Sequence, residues 1–232
     1  MRFCILLAGG SGRRFGGDKP KQYLDLGGCM LIEHSMSIIK SLPDIDRCVV
    51  VTQEATNPDI DYLKNRYDQQ FIYTTGGENR QESVMNGLER LKKETPRAMK
   101  STVLIHDSAR PFAKKVFMDV LRELENSEVV IPGLKPKETL YRVKDGRVAE
   151  IPKRDSLFSV QTPQGFDFNL IYQAHQDAIL ENNFTFTDDG SLVFRYSETE
   201  TVIIRGDPDN IKITNHTDLL IAKQILNNRK GR

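Results

Sequence analysis

Short apolar runs alternate along this chain with longer segments whose apolar residues recur every three or four positions. Phe3–Ala8, Arg47–Thr52, Phe71–Thr74, Thr102–His106 and Glu128–Pro132 have the length and character of strands. Between them, Leu31–Leu42, Asp59–Tyr67, Gln81–Lys93 and Lys114–Asn126 have helical spacing, with Val84, Leu88 and Leu91 sharing one face of the third. Wholly apolar strands separated by helices predict an α/β fold: a mostly parallel central sheet with helices on both faces. Ligands of such sheets sit at the carboxyl ends of strands, near a switch in strand order.

The pattern changes after Pro132. Residues 138–151 read as a hairpin, with Lys144-Asp145-Gly146-Arg147 as its turn, since Asp-Gly between alternating strands is a strong hairpin signal. The stretch from 133 to 154 is poor in large core residues and holds seven Lys/Arg against three acids. A lone hairpin is marginally stable in water. It is therefore expected to project and pack on something, such as a second subunit, or else to lie as a solvated surface hairpin. Helical and strand character then returns in Asn169–Leu180, Thr201–Arg205 and Thr217–Ile225, and the polar tail from Asn227 is expected to fray. With no repeat or linker, residues 1–232 read as one domain with an arm at about 134–157.

The first strand runs into the most informative segment, Leu6-Leu7-Ala8-Gly9-Gly10-Ser11-Gly12-Arg13-Arg14-Phe15-Gly16-Gly17-Asp18-Lys19-Pro20-Lys21-Gln22. Glycines expose backbone N–H groups, and Arg and Lys neutralise phosphate oxygens. The formal net charge of the chain is only +1, yet this loop sets Arg13, Arg14, Lys19 and Lys21 against Asp18 alone. A near-neutral protein with one basic loop suits a small anionic ligand better than a nucleic acid or a membrane. A Walker loop is excluded, because Asp18 stands where its lysine belongs and Pro20 blocks the helix start. A dinucleotide fingerprint is one residue too short for this spacing. A nucleoside triphosphate is the expected ligand.

The three cysteines, Cys4, Cys29 and Cys48, form no CxxC pair, and a reducing compartment is the simple reading. The apolar start is a strand rather than a signal peptide, and no stretch approaches a membrane span. A soluble cytoplasmic protein is expected.

Other segments carry candidate chemistry. Gly76-Gly77-Glu78-Asn79-Arg80 is a glycine turn feeding a helix that Asn79 could cap. Asp107, just past a buried strand, is placed to hold Mg2+ or ribose hydroxyls, with Arg110 orienting it; a structural Asp–Arg pair is the alternative. His106 reads as a packed strand-end residue. Thr162-Pro163-Gln164-Gly165-Phe166 reads as structural. Thr187-Asp188-Asp189-Gly190-Ser191 reads as a helix start capped by Thr187, or as an acidic metal-like cluster. Asp209 and Lys212 follow a strand and supply a second carboxylate and a further cation. With Asp107, Asp209 would make two acids for one divalent ion.

The ordered set resembles the 2-C-methyl-D-erythritol 4-phosphate cytidylyltransferases of the isoprenoid pathway. It comprises Ala8-Gly9-Gly10-Ser11-Gly12-Arg13-Arg14, Pro20-Lys21-Gln22, Gly76-Gly77 with Arg80 and Ser83-Val84, His106-Asp107-Ser108-Ala109-Arg110-Pro111, Thr162-Pro163-Gln164, Thr187-Asp188-Asp189 and Asn210-Ile211-Lys212-Ile213-Thr214. The resemblance implies a Rossmann-like sugar-nucleotidyltransferase fold and a homodimer joined by a projecting β-arm. It implies CTP, methylerythritol phosphate and Mg2+. Arg14 and Lys21 match residues that hold the triphosphate, and Lys212 one near the α-phosphate. Ala8, Gly9, Gly10, Gly12, Gly77 and Ser83 fall on the nucleotide side, and Asp107 on the nucleotide and metal site. Arg110, Thr139, Arg154 and Thr187 align with acceptor-side positions, Thr139 and Arg154 from the arm. Glu138 stands where the family usually has Asp, Gly9 where a second Ala is common and Ser108 where Ala is frequent. Ribitol-5-phosphate cytidylyltransferases share most of the pattern and are the alternative. An NAD(P)-binding oxidoreductase and a non-catalytic nucleotide-binding relative are the other classes.

Overall fold

Strand β1 (Arg2–Ala8) has Phe3 to Leu6 fully buried on both faces, which only a sheet covered on two sides allows. The computed structural model describes residues 1–10, 15, 19–42, 44–67, 69–94 and 100–230. Beyond β1 the chain forms α1 (Leu31–Ser41), β2 (Arg47–Thr52), α2 (Pro58–Arg66), β3 (Phe71–Thr75), α3 (Arg80–Lys92), β4 (Thr102–Asp107), α4 (Lys114–Glu123) and β5 (Val129–Leu134). There follow β6 (Arg142–Lys144), β7 (Arg147–Glu150), β8 (Ser159–Val160), β9 (Gln164–Asp167), α5 (Phe168–Leu180), α6 (Asp189–Tyr196), β10 (Thr201–Arg205) and α7 (His216–Lys230).

The main sheet has the order β10-β5-β9-β4-β1-β2-β3. β1 is parallel to both β2 and β4, so successive strands are laid down on its two sides and a switch point falls beside it. Side chains alternate between the faces. Cys4, Leu6 and Val50 pack with Ile32 and Met36 of α1, Leu63 of α2 and Phe117 of α4. Phe3, Ile5 and Val49 pack with Val84 and Leu88 of α3, Ile171 of α5 and Val193 of α6. A third cluster joins opposite ends of the sequence: Phe15, Leu26 and Leu31 meet Phe112, Ile213 and Ala222.

Three expectations are corrected. β9 runs antiparallel between β4 and β5, where no strand was expected. Gly165 makes this possible, because a Cβ there would lie 2.6 Å from Val120 Cγ1 and 2.7 Å from Leu124 Cδ1 of the covering helix α4. The tail from Asn227 is not frayed as far as Lys230: it continues α7, and Arg229 pairs with Asp209 at 3.1 Å. The cap of α6 is Asp188 rather than Thr187, its carboxylate accepting from the Ser191 N–H.

The hairpin is present. Asp145 and Gly146 have φ of 50° and 74°, the pair of positive values a two-residue primed turn needs. Its strands β6 and β7 are exposed throughout. The arm leaves the sheet after β5 and returns as β8, antiparallel to β5. Among the described residues no helix is long and apolar enough to cross a membrane.

Candidate active site

A cleft of about 630 Å3 opens at the carboxyl ends of β1 and β4, beside the switch point. Ala8, Gly9 and Gly10 form its floor after β1, Gly77, Arg80 and Ser83 a wall at the start of α3, and Asp107, Lys21 and Lys212 the charged part. Gln22 is buried and donates from Nε2 to the Ala8 carbonyl at 2.6 Å, which ties the returning loop to the strand end. Lys21 Nζ donates to the Ile213 carbonyl at 3.1 Å, next to Lys212. Cations far apart in sequence therefore border one cleft, above the cluster that joins Leu26 to Ile213.

The Gly77 N–H donates to Ser83 Oγ at 3.1 Å, and that hydroxyl donates to the Asn79 carbonyl at 2.8 Å. Asn79 caps α3 by accepting from the Glu82 N–H, as its side-chain chemistry suggested. A Cβ at Gly77 would lie 2.3 Å from Glu82 Cβ, so the turn needs glycine.

Asp107 is the electrostatic centre. Its Oδ2 lies 2.8 Å from Lys212 Nζ and 3.8 Å from Arg110 Nε, and its Oδ1 3.9 Å from Arg80 Nε. Burial alone would raise this carboxyl, but Lys212, Arg80 and Arg110 outweigh it and hold the group far below the usual carboxylate range. Arg80 in turn donates from Nη2 to Asp189 Oδ2 at 2.7 Å.

Behind Asp107 lies a hydrogen-bonded chain. The Asp107 N–H donates to Thr162 Oγ1 at 3.1 Å. Thr162 Oγ1 lies 3.1 Å from His106 Nδ1, and His106 Nε2 lies 3.1 Å from the Arg110 carbonyl. A carbonyl only accepts, so Nε2 carries the proton and Nδ1 takes the threonine hydroxyl proton. Asn210 Nδ2 donates to the Thr162 carbonyl at 2.9 Å, and Arg110 Nη1 donates to the Asn210 carbonyl at 2.8 Å. The loops bearing Asp107 and Lys212 are thus locked together.

His106 is fully buried, and burial pushes its pKa down to about 4. Between its ordinary value of roughly 6.5 and about 4 the unfolded chain binds a proton that the native state refuses, so stability falls as pH falls through this window. We expect a loss of about 3 kcal/mol from this group across that range. Urea melts at stepped pH should show it, and His106→Gln should remove that one-proton slope while leaving Asp107 to act only at lower pH.

The remaining expected site residues lie elsewhere. Thr139 and Arg154 are exposed on the arm, away from the cleft lining, with Arg154 Nη1 3.4 Å from the Lys137 carbonyl. Thr187 is exposed just before α6. Arg110 sits behind Asp107 rather than in the cleft wall. Gly12 and Arg14 lie outside the described residues. Asp209, expected beside Asp107 as a metal ligand, is not among the residues lining the cleft, and its carboxylate lies 3.1 Å from Arg229 Nη2. Nor does Thr187-Asp188-Asp189 form a metal cluster, since no group of three potential ligands occurs among the described residues. Arg80 was the residue missed. It stood inside the Gly76–Val84 motif, and its place in the first turn of α3 behind the glycine pair was the available signal.

The fold and the cleft define an α/β protein of the doubly wound class whose ligand edge, at a switch in strand order, gathers Lys21, Lys212 and Arg80 around Asp107. The model of the family IspD, 2-C-methyl-D-erythritol 4-phosphate cytidylyltransferase, matches residues 3–228. The chain is 37% identical over 236 residues to the 2-C-methyl-D-erythritol 4-phosphate cytidylyltransferase of Clostridioides difficile, covering 99% of this chain and 95% of that one. It is 38% identical over 232 residues to that of Geobacillus kaustophilus, covering 97% of each. The crystal structure of 4-diphosphocytidyl-2C-methyl-D-erythritol synthase from Anaerococcus prevotii superposes with a TM-score of 0.83 at 30% identity, covering 97% of this chain and 96% of that chain. The chain belongs to the 2-C-methyl-D-erythritol 4-phosphate cytidylyltransferase family. It is a nucleotidyltransferase of isoprenoid synthesis, and nothing in these likenesses favours the ribitol phosphate or oxidoreductase readings.

Proposed function

We propose that the cleft binds CTP and joins its CMP unit to the phosphate of 2-C-methyl-D-erythritol 4-phosphate. The observation that carries this is the convergence of Lys21 and Lys212 with Asp107 on one cleft floored by Gly9 and Gly10. An oxygen of the acceptor phosphate attacks the α-phosphorus in line. The bond from that phosphorus to the β-phosphate bridging oxygen breaks, and pyrophosphate leaves with the electron pair. The attacking group is already an anion, so no strong general base is needed. Catalysis is then positioning and charge neutralisation. Lys21 and Lys212 stabilise charge on the transferring group, and Arg14, by family resemblance, helps hold the triphosphate. Gly77 and Ser83 form the expected cytidine side, with Ala8 and Gly9 beneath.

The donor set fits Mg2+ only as an ion that arrives with the nucleotide. Two carboxylates, Asp107 and Glu78, line the cleft, and Mg2+ is usually held by one or two carboxylates together with substrate phosphates. The ion would supply neutralisation of phosphate charge.

The enzyme works, on this reading, as a cytoplasmic homodimer. Leu140, Tyr141, Val143, Val148 and Ile151 are between 45% and 61% exposed on the arm, more apolar surface than a solvated hairpin needs. Packing against a second copy would cover them and carry Thr139 and Arg154 to the partner's acceptor site. Pyrophosphate release with CTP should be faster with methylerythritol phosphate than with ribitol phosphate; the reverse order would overturn the acceptor assignment. Arg154→Ala should raise the acceptor KM about tenfold or more and leave the CTP KM unchanged, as loss of one charge-assisted phosphate contact implies. A shift in the CTP KM instead would place Arg154 on the wrong substrate.

A further inference from the structure

Asp189 opens α6 and is 1% exposed, yet it is a carboxylate. A buried carboxylate is costly unless a counter-charge meets it, and a buried ion pair is a weak source of net stability. The partner here is Arg80, whose Nη2 donates to Asp189 Oδ2 at 2.7 Å and whose side chain lines the cleft. The only other charge within ion-pairing range of that guanidinium is Asp107 Oδ1, 3.9 Å from Nε, among the described residues. Burial opposes the charge on Arg80, but Asp189, Asp107 and the nearby Asp188 outweigh it and hold the group cationic.

Asp189 is itself rigidly held. The side chain of Gln164, on the interior strand β9, grips both neighbours: Nε2 donates to Asp188 Oδ2 at 2.7 Å and Oε1 accepts from the Gly190 N–H at 3.0 Å. Gly190 lies so close to β5 that a Cβ would approach Ile131 Cδ1 to 2.8 Å. On the far side, fully buried His175 brings Nε2 to 3.5 Å from Asp189 Oδ1. The carboxylate is therefore a fixed point, anchored through β9, that meets a planar donor fork at the wall of the cleft.

We infer that Asp189 is a positioning residue for Arg80, fixing its guanidinium in the cleft as a further phosphate-binding cation. Arg80 has five N–H donors, and the bond to Asp189 fixes the plane in which the others point. The inference rests on the cleft being the CTP site. An arginine fixed on one edge can meet a phosphate on another without losing freedom when the ligand arrives.

The test compares wild type, R80Q, D189N and R80Q/D189N by pyrophosphate release, CTP calorimetry and thermal melting. Each single variant is expected to lower kcat/KM for CTP and weaken CTP binding by roughly 10- to 100-fold. The double variant should be no worse than R80Q, because Asp189 acts through Arg80. Losses that multiply would show that Asp189 acts independently and would overturn the inference. So would wild-type CTP binding in either single variant. Should D189N fold poorly, R80K decides: it keeps the charge and loses the fork, so CTP binding should weaken about tenfold at an unchanged melting temperature, and unchanged binding would refute the role. A wild type that binds CTP without releasing pyrophosphate would refute the assigned reaction, while the binding series would still decide the positioning.

Discussion

Lys212→Ala and Lys21→Ala are each expected to lower kcat by roughly 100- to 1000-fold while the protein remains folded, the usual cost of removing one preorganised charge donor from a transition state. Lys212 lies 2.8 Å from Asp107, so its loss also strips that carboxylate of its nearest counter-charge and leaves Arg80 and Arg110 to hold it from 3.9 and 3.8 Å. Lys21 is tied to the same segment through the Ile213 carbonyl. Both side chains are partly exposed, so truncating either creates no interior cavity; Lys21→Ala should barely move the melting temperature, whereas Lys212→Ala should lower it by leaving buried Asp107 without its nearest counter-charge. A steady-state assay of pyrophosphate release with saturating CTP, alongside circular dichroism melting, separates chemistry from folding. A near-wild-type kcat in both variants would refute charge neutralisation by these lysines.

Phe166→Ala is expected to have the largest effect on stability. Phe166 is fully buried in β9, in register with Val103 of β4 and Val129 of β5. Deleting such a ring from a core costs about 3–5 kcal/mol, because the site collapses only in part. For a domain of this size that corresponds to a fall of roughly 6–20 °C in melting temperature. Phe166 is not part of the cleft lining, so kcat measured well below the new midpoint should stay within a few-fold of wild type. A shift of only a degree or two would mean that β9 does not lie between its two neighbours.

The sequence made some of this architecture legible because single segments carried the information. β2 and β10 fall at Arg47–Thr52 and Thr201–Arg205 as the apolar runs indicated, and Asp145-Gly146 marks its own turn. β9 was opaque for a physical reason. It has one large apolar residue, Phe166, beside Gly165, and its place depends on the space that Val120 and Leu124 of another helix leave for a glycine. The site divides the same way. Lys21, Asp107 and Lys212 follow strands or a glycine loop, and the topology brings them together. Whether Asp209 faced Asp107 or Arg229 depended on how α7 docks, and nothing local to Asp209 encodes that. Arg80 was hidden because its meaning comes from Asp189, a residue 109 positions away.

The bond between Lys21 and Ile213 spans 192 positions, and the cluster beneath it is likewise shared by early and late residues. A ribosome adding roughly 5–20 residues per second would expose the glycine loop some 10–40 s before the strand-end segment that completes the pocket wall. During that interval β1, β2, β3 and β4 can assemble as a parallel unit, with Asp107 still awaiting its principal counter-ion. The cleft is thus completed only after the segment around Lys212 has emerged, and its charged wall should be disturbed if the docking of α7 is loosened.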